Sequence, residues 1–236
     1  MPRTHPPTLI TLTRAALRDV RDPPLIPRGG RVLVAVSGGP DSMALLHVLG
    51  LVRGRLGFGL FAHGVDHGLR PDAATELDLA ADLARSLEVP FTRSKVALAA
   101  GGNLQARART LRWEALRSAA SHVRADRIAT GHHADDRAET VLMRILRGTT
   151  PQGLAALPPL DGDRIRPFYR ARRADIDAHV ARHALPHAAD PSNRDPRFLR
   201  TRVRLEVMPV LERLSPRIVA HLCALADAAG PREGRG

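Results

Sequence analysis

The sequence contains very little cysteine, lysine or aromatic side chain, and each shortage excludes a class of protein. Its 236 residues include one cysteine, Cys223, one lysine, Lys95, and only five Phe, one Tyr and one Trp. A single cysteine excludes intrachain disulfides, Cys₄ metal sites and C-x-x-C redox chemistry, and it fits a cytoplasmic location. With so few aromatic rings, base stacking cannot be the main source of affinity for a nucleic acid.

Long hydrophobic runs are also missing. The longest apolar stretch covers ten residues, 43–52, and His47 interrupts it. A membrane-spanning helix needs about 20 apolar residues. Residues 1–7 lack the apolar core of a signal peptide. We therefore expect no association with a membrane.

Positive charge is abundant. The chain has 36 Lys+Arg against 24 Asp+Glu, a formal net charge of +12, and all but one of the basic residues are arginine. A GC-rich genome would explain arginine in place of lysine, but it would not explain the surplus. Arginine is always charged and binds phosphate through a planar fork. The composition therefore predicts a polyanionic partner.

Short β-branched runs alternate with longer amphipathic stretches from residue 31 onward, which is typical of a parallel sheet covered by helices. We predict strands at 31–36, 58–65, 90–96 and 127–131 and helices at 41–52, 72–87, 103–122 and 135–146. This order predicts a doubly wound, mostly parallel α/β sheet with helices on both faces. In such folds ligands bind beyond the carboxyl ends of the strands.

The predicted organisation has three parts. An N-terminal arm, 1–29, holds a helix at 9–20 and a proline-rich linker, and the catalytic domain covers 30–198, with loops at 151–153 and 158–163 and a helix at 173–184. A C-terminal helical extension, 199–236, holds helices at 199–214 and 216–228 and a disordered tail. In the first of these two helices we expect the apolar positions to pack inward; they are Val203, Val207, Val210, Leu211 and Leu214.

A glycine-rich turn follows the first strand and opens a helix. It reads Ser37, Gly38, Gly39, Pro40, Asp41, Ser42. Successive glycine amides and a helix N-terminus form an anion site, and the Asp41 carboxylate can hold Mg²⁺ among phosphate oxygens. It is neither a Walker loop nor a G-x-G-x-x-G turn. The alternative is an ordinary turn in which Asp41 and Ser42 act as helix caps.

Two further polar clusters follow strands. Val65-Asp66-His67-Gly68-Leu69-Arg70 comes after the second strand, and Gly131-His132-His133-Ala134-Asp135-Asp136 comes after the fourth. Asp136 and Glu139 share one helix face and can bind an ammonium group or a metal. His132 lies where it could contact phosphate or transfer a proton. Alternatively, these carboxylates only complement the helix dipole.

Arginines concentrate in two places. In the helix at 103–122, Arg109 and Arg112 lie near the start, where a guanidinium could reach a phosphate. Between residues 194 and 217 there are seven arginines, and we expect four of them to form a cationic edge that binds RNA: Arg194, Arg197, Arg200 and Arg204. The alternative for both groups is a solvated surface.

Together these motifs resemble one family. The turn at 37–42 resembles the PP-loop of the N-type ATP pyrophosphatases, which have an adenine nucleotide alpha hydrolase-like fold. The larger set, in order from about residue 31 to 214, is similar to the tRNA(Ile)-lysidine synthetase family; it includes 65–70, 108–112, 131–136, Glu139-Thr140, Arg166-Pro167 and 190–193. The sequence departs from the family pattern at Trp113, Arg137 and Thr201, where Tyr, Gln and Asn are usual, and in its length, because family members usually continue into a C-terminal domain.

The resemblance implies an ATP-dependent ligase in the cytoplasm. Its substrates would be tRNA(Ile) with a CAU anticodon, free lysine and ATP with Mg²⁺, and the oligomeric state stays open. The wobble cytidine would be adenylated at C2, and lysine would then displace AMP. By resemblance, residues 37–42 bind ATP, with Asp41 on Mg²⁺, Arg109 and His132 steady the α-phosphate, and Asp136 and Glu139 bind the lysine ammonium.

Three other interpretations of the same residues remain open at this point. Asp66, His67 and the cluster at 132–136 could be ligands of a metal-dependent phosphoesterase. Another PP-loop enzyme could thiolate tRNA, although the lone Cys223 argues against a sulfur carrier. A noncatalytic basic RNA-binding subunit is the third interpretation, which the presence of Asp41, Asp136 and Glu139 disfavours.

Overall fold

The computed structural model describes residues 8–20, 23–66, 68, 73–96, 104–188 and 197–230. Six strands form one sheet: β1 Arg31–Val36, β2 Gly59–Asp66, β3 Phe91–Lys95, β4 Arg127–Ala129, β5 Leu160–Asp161 and β6 Arg164–Ile165. The helices of these residues are α1 Leu9–Asp19, α2 Pro40–Leu56, α3 Ala73–Ser86, α4 Leu104–His122, α5 Ala134–Arg147, α6 Arg173–Arg182, α7 Leu199–Arg202, α8 Met208–Leu214 and α9 Ile218–Ala229. A 3₁₀ turn, Gln152–Leu154, and a π-helical turn, Val203–Val207, complete the list.

The strand order is β3-β2-β1-β4-β6-β5. All neighbours are parallel except β5 and β6, which form a short antiparallel hairpin. The chain moves outward from β1 to β3 and then returns to place β4 on the other side of β1. This reversal creates a crevice beyond the carboxyl ends of β1 and β4, where ligands bind in folds of this kind. The predicted doubly wound, mostly parallel sheet is confirmed.

Helices cover both faces of the sheet, and strand β1 shows why. Val32, Val34 and Val36 belong to the larger core cluster, which includes residues of α2 and α3, whereas Leu33 packs on the opposite face with Trp113 of α4. Side chains alternate across a strand, so a strand that is apolar at every position is covered on both sides. Trp113 therefore belongs to the core.

The described residues of the N-terminal arm contribute to the main core. Leu9 of α1 and Leu25 of the proline-rich segment are both buried in the larger cluster. The C-terminal helices form a separate apolar cluster against α5, in which Val203, Met208 and Val219 are buried. These helices therefore pack onto the first helix that follows β4, beside the crevice.

The structure corrects two local predictions. The segment 158–163, predicted as a loop, contributes β5, which pairs with β6; strands of two residues carry no detectable periodicity. The predicted helix 199–214 is interrupted by a π-helical turn, in which the Met208 N–H donates to the Val203 carbonyl. Because this turn contains an extra residue, the residues after it are rotated, and Val210 and Leu214 are exposed instead of packing inward.

Candidate active site

The glycine-rich turn has the geometry of an anion site. Gly38 has φ +78°, a left-handed conformation that favours glycine, and Gly39 caps α2 with Pro40 in its first turn. The Ser37 N–H donates to Ser42 Oγ (3.1 Å), and Ser42 Oγ donates to the Gly39 carbonyl (3.0 Å). The turn is thus held by its own side chains, at the positive end of the α2 dipole.

Asp41 lies in the first turn of α2 and faces the crevice. Its Oδ1 is buried and has no hydrogen-bond partner, while its Oδ2 lies 3.5 Å from Arg173 Nη2 and 4.0 Å from His133 Nε2. Burial raises the pKa of this carboxyl, and Arg173 and His133 oppose that shift. A buried carboxylate oxygen without a partner suits a divalent cation that takes its other ligands from phosphates.

Two histidines follow β4 and occupy different environments. His132 Nδ1 lies 2.9 Å from Thr130 Oγ1, and burial, together with Arg166, Arg200 and Arg112, lowers the His132 pKa to about 4 despite Asp136. His132 is therefore a neutral imidazole near pH 7, able to donate a hydrogen bond but not to supply a positive charge.

His133 is the residue that sequence reasoning did not single out. It is fully buried, and its ring nitrogens lie 3.5 Å from Asp135, 3.4 Å from Asp136 and 4.0 Å from Asp41. Burial lowers its pKa, but the three carboxylates outweigh burial and raise it. His133 thus connects the PP-loop carboxylate with those of α5. The adjacent pair of histidines was the only signal for it in the sequence.

The acidic residues at the start of α5 have different partners. Asp135 accepts hydrogen bonds from Arg172 Nε (3.0 Å) and the Arg173 N–H (2.8 Å), which ties α5 to α6. These hydrogen bonds and that from His133 overcome burial and hold the Asp135 pKa well below its usual range. Asp136 Oδ2 accepts from the His133 N–H at 3.1 Å, as a residue in a helical first turn does.

Glu139 and Asp136 share two arginines. Glu139, whose side chain is only 2% exposed, lies 2.6 Å from Arg204 Nε and 3.0 Å from Arg200 Nε. Arg204 Nη2 also lies 3.4 Å from Asp136 Oδ1. Two of the arginines predicted to form an RNA-binding edge therefore contact the carboxylates predicted to bind lysine.

The other predicted RNA-binding residues are placed differently. Arg197 is exposed, and Arg194 lies outside the described residues, as do His67, Leu69, Arg70 and the segment 190–193. The RNA-binding role of all four arginines stays a prediction.

Two arginines of α4, Arg109 and Arg112, and Arg166, which follows β6, form a cationic region near His132. Arg109 is exposed, while the Nε atoms of Arg112 and Arg166 are buried without hydrogen-bond partners. Burial lowers the pKa of Arg112, and Arg109 lowers it further. Unpartnered guanidinium donors in a positively charged region suit a phosphate group. The role predicted for Arg109 stays a prediction, and Arg112 is the more enclosed of the two.

The departures from the family pattern have structural partners. Arg137 is buried in α5, donates to the Ala156 carbonyl and pairs with Asp227 of α9. Trp113 lies under the Arg164 guanidinium, 4.5 Å from its ring centroid, and Thr201 is buried. These side chains secure the C-terminal helices and the sheet and do not intrude on the PP-loop.

The alternatives find little support in the described part of the chain. It contains no group of three or more His, Cys, Asp or Glu residues that could hold a metal ion, as a phosphoesterase centre would require. Burial raises the pKa of the Cys223 thiol, which disfavours a reactive thiolate. None of the helices in these residues is long and apolar enough to cross a membrane.

Comparison with known proteins identifies the class. Residues 13–211 match the PP-loop domain family, so the chain is a PP-loop protein. Its fold is similar to that of the U34-tRNA thiolase NcsA from Methanococcus maripaludis, with a TM-score of 0.77 at 18% identity, covering 96% of this chain and 79% of that one. NMN synthetase from Francisella tularensis is more distant, with a TM-score of 0.53 at 11% identity, covering 92% of this chain and 91% of that one.

The sequence relatives narrow the class further. The tRNA(Ile)-lysidine synthase of Thermobifida fusca is 38% identical over 98% of this chain and 76% of its own length. The enzyme of the same name from Symbiobacterium thermophilum is 42% identical over 84% of this chain, but the match covers only 43% of that relative. The chain belongs to the tRNA(Ile)-lysidine synthase family, and it spans about half the length of several of the curated relatives it matches.

Proposed function

We propose that this chain carries the catalytic domain that converts the wobble cytidine of a CAU-anticodon tRNA(Ile) to lysidine. The observation that carries the proposal is the convergence, at one crevice, of an anion-binding turn, an unpartnered Asp41 oxygen and the carboxylates of Asp136 and Glu139. The names of the relatives support the same reaction.

In the first step the backbone amides of the PP-loop, residues 37–42, and the Ser37 hydroxyl hold the β- and γ-phosphates of ATP. The Ser42 hydroxyl, which donates to the Gly39 carbonyl, shapes the turn around them. Asp41 would hold Mg²⁺, which would supply positive charge beside the phosphates when bound. The cytosine O2 attacks the α-phosphorus, the bond to the β-phosphate oxygen breaks, and pyrophosphate leaves with the electron pair. Preorganised donors that face the developing charge are usually the largest catalytic contribution.

Around the α-phosphate, the proposal gives His132 and the arginines separate roles. Thr130 Oγ1 lies 2.9 Å from His132 Nδ1, and in the tautomer in which this nitrogen accepts, a neutral His132 presents Nε2–H as a donor. Positive charge comes from Arg109 and from Arg112, whose buried Nε has no other partner. Arg173, beside Asp41, is placed to contact the phosphates as well.

In the second step the ε-ammonium of lysine gives a proton to solvent, and the resulting amine attacks C2 of the adenylated base. The C2–O bond breaks, and AMP leaves with the oxygen that came from the cytosine. In total, ATP, lysine and cytidine give lysidine, AMP and pyrophosphate. The carboxylates of Asp136 and Glu139 would bind lysine through its ammonium group before that step.

The decisive experiment is mass spectrometry of nucleosides from a CAU-anticodon tRNA(Ile) incubated with the protein, ATP, Mg²⁺ and isotope-labelled lysine. We expect labelled lysidine with AMP and pyrophosphate in equal amounts, and loss of all three with Asp41→Asn. Asp82→Asn serves as the matched control, because Asp82 is an exposed residue of α3 that pairs with Arg85. Formation of ADP and phosphate would refute the proposal.

A further inference from the structure

The proposed lysine site is already filled by two arginines of the same chain. Arg204 grips Glu139 through two hydrogen bonds, from Nε to Oε1 (2.6 Å) and from Nη2 to Oε2 (2.9 Å). Arg200 adds a third, from Nε to Oε2 (3.0 Å), and its Nη2 donates to the Thr140 hydroxyl and the Asp136 carbonyl. Both Glu139 oxygens therefore have cationic donors.

The charge and the burial of the two carboxylates limit how a further cation can bind to them. Asp136 and Glu139 carry two negative charges, which Arg200 and Arg204 balance. The Glu139 side chain is enclosed, so a further cation cannot reach its carboxylate from solvent while both arginines stay in place. A buried carboxylate holds its charge only while it keeps a partner. An incoming ammonium group must therefore replace one of the guanidinium groups.

Arg204 is the guanidinium that an ammonium group would replace. It makes the forked contact with Glu139, whereas Arg200 is also held by Thr140 and the α5 backbone. Arg204 lies in the π-helical turn Val203–Val207, and such turns frequently mark functional positions in helices. Its side chain is 22% exposed, less than the 40% of Arg200, so the choice of Arg204 rests on its contacts and its place in the turn.

We propose that Arg204 occupies the ammonium subsite in the absence of lysine and determines how tightly lysine binds. This inference rests on the proposed function, because it takes Asp136 and Glu139 as the lysine carboxylates. It assigns Arg204 a role different from the RNA contact that the sequence suggests. Lysine binding then includes the cost of separating Arg204 from Glu139, and removal of Arg204 should strengthen binding.

The test is calorimetric titration of L-lysine into the protein loaded with a nonhydrolysable ATP analogue. Arg204→Ala should lower the lysine Kd about tenfold, the scale of one charge-assisted hydrogen bond. Arg202→Ala is the matched control, because Arg202 lies on the same segment but pairs with the exposed Glu206, and its lysine Kd should stay at the wild-type value. Millimolar guanidinium chloride should compete with lysine in Arg204→Ala, because free guanidinium can bind Glu139 in place of the Arg204 side chain.

An unchanged or higher Kd in Arg204→Ala would overturn the inference and make Arg204 a support for the carboxylates. Arg204→Met, which keeps the aliphatic length, provides the same test if the alanine variant does not fold. Incorporation of labelled lysine into tRNA by the wild-type protein is scored separately. If lysine binds as expected but never enters tRNA, the proposed reaction is refuted and the displacement of Arg204 stands. If lysine enters tRNA but Arg204→Ala binds lysine no more tightly than the wild type, only the inference about Arg204 is refuted.

Discussion

The conformation of Gly38 offers the sharpest test of the PP-loop. Its φ of +78° is unfavourable for any residue with a side chain, and a Cβ at this position would lie 2.7 Å from the Glu76 carbonyl oxygen and 2.8 Å from Glu76 Cβ. The atoms that the new Cβ would meet are the backbone and Cβ of Glu76, a buried residue of α3, and not the end of a flexible side chain. Gly38→Ala therefore forces the turn or α3 to move.

The expected loss of stability in Gly38→Ala has two parts. A left-handed conformation costs a non-glycine residue about 1–2 kcal/mol, and an added methyl group in a filled site costs about 1–3 kcal/mol. Gly38→Ala should therefore lower the free energy of unfolding by about 2–5 kcal/mol. A displaced turn also moves the amides away from the phosphates, so we expect binding of a nonhydrolysable ATP analogue to weaken at least tenfold, or by about 1.4 kcal/mol.

Gly57, at the other end of α2, separates the two contributions. It has φ +71°, but no atom lies within 4 Å of the position that a Cβ would take, so Gly57→Ala carries only the conformational penalty. We expect it to cost about 1–2 kcal/mol of stability and to leave nucleotide affinity unchanged. Urea unfolding and calorimetric titration of the analogue measure both quantities. Equal effects of the two substitutions on stability and on affinity would refute the close packing of the PP-loop against α3.

Two histidines and one buried arginine give three more predictions. Burial, with His183, His47 and Arg182 nearby, lowers the His179 pKa to about 4, whereas in the unfolded chain this side chain binds a proton as the pH falls below about 6.5. The contribution of His179 should therefore lower stability by about 3 kcal/mol between pH 7 and pH 4. Urea unfolding at a series of pH values should show a flatter profile for His179→Gln, and an identical profile would contradict this. His132, with a pKa of about 4, stays neutral across pH 5.5–8, so kcat/KM should show no ionisation near pH 6.5 that His132→Gln abolishes. Arg137→Gln should cost about 1–3 kcal/mol because the buried Arg137 guanidinium donates to the Ala156 carbonyl and pairs with Asp227. Thermal melts should place Arg202→Gln, at an exposed pair with Glu206, within about 0.5 kcal/mol of wild type.

The sheet was predictable because its signals are local. Residues 31–36 are apolar at nearly every position, and the structure starts and ends β1 at the predicted residues. Within the described residues, α4 ends at the predicted residue 122 and α3 ends one residue before its predicted end at 87, since their patterns extend over more than three turns. Their predicted first residues, 72 and 103, lie outside the described residues. The hairpin of β5 and β6 was not predictable, because two-residue strands have no period to detect.

The π-helical turn shows a second limit. Its sequence, Val203–Val207, fits an ordinary amphipathic helix, and only Pro209 signals a disturbance. Proline lacks the N–H that would continue an α-helical ladder to residue 205, and the turn before it widens so that Met208 bonds to Val203. That single added residue turns Val210 and Leu214 toward solvent. Periodicity cannot reveal a change of period caused by one residue.

The site was hardest to predict where a side chain is paired with a residue that is distant in the sequence. Spacing places Asp136 and Glu139 on one face of α5, and the structure shows them sharing Arg204. Spacing does not reveal that the arginine comes from a segment more than sixty residues later. As a charged edge in the sequence, Arg200 and Arg204 suggest RNA, whereas in the fold the buried Glu139 carboxylate needs cationic partners and these two guanidinium groups supply them. The position of these arginines therefore follows from the burial of Glu139, which only the packing of the C-terminal helices onto α5 creates.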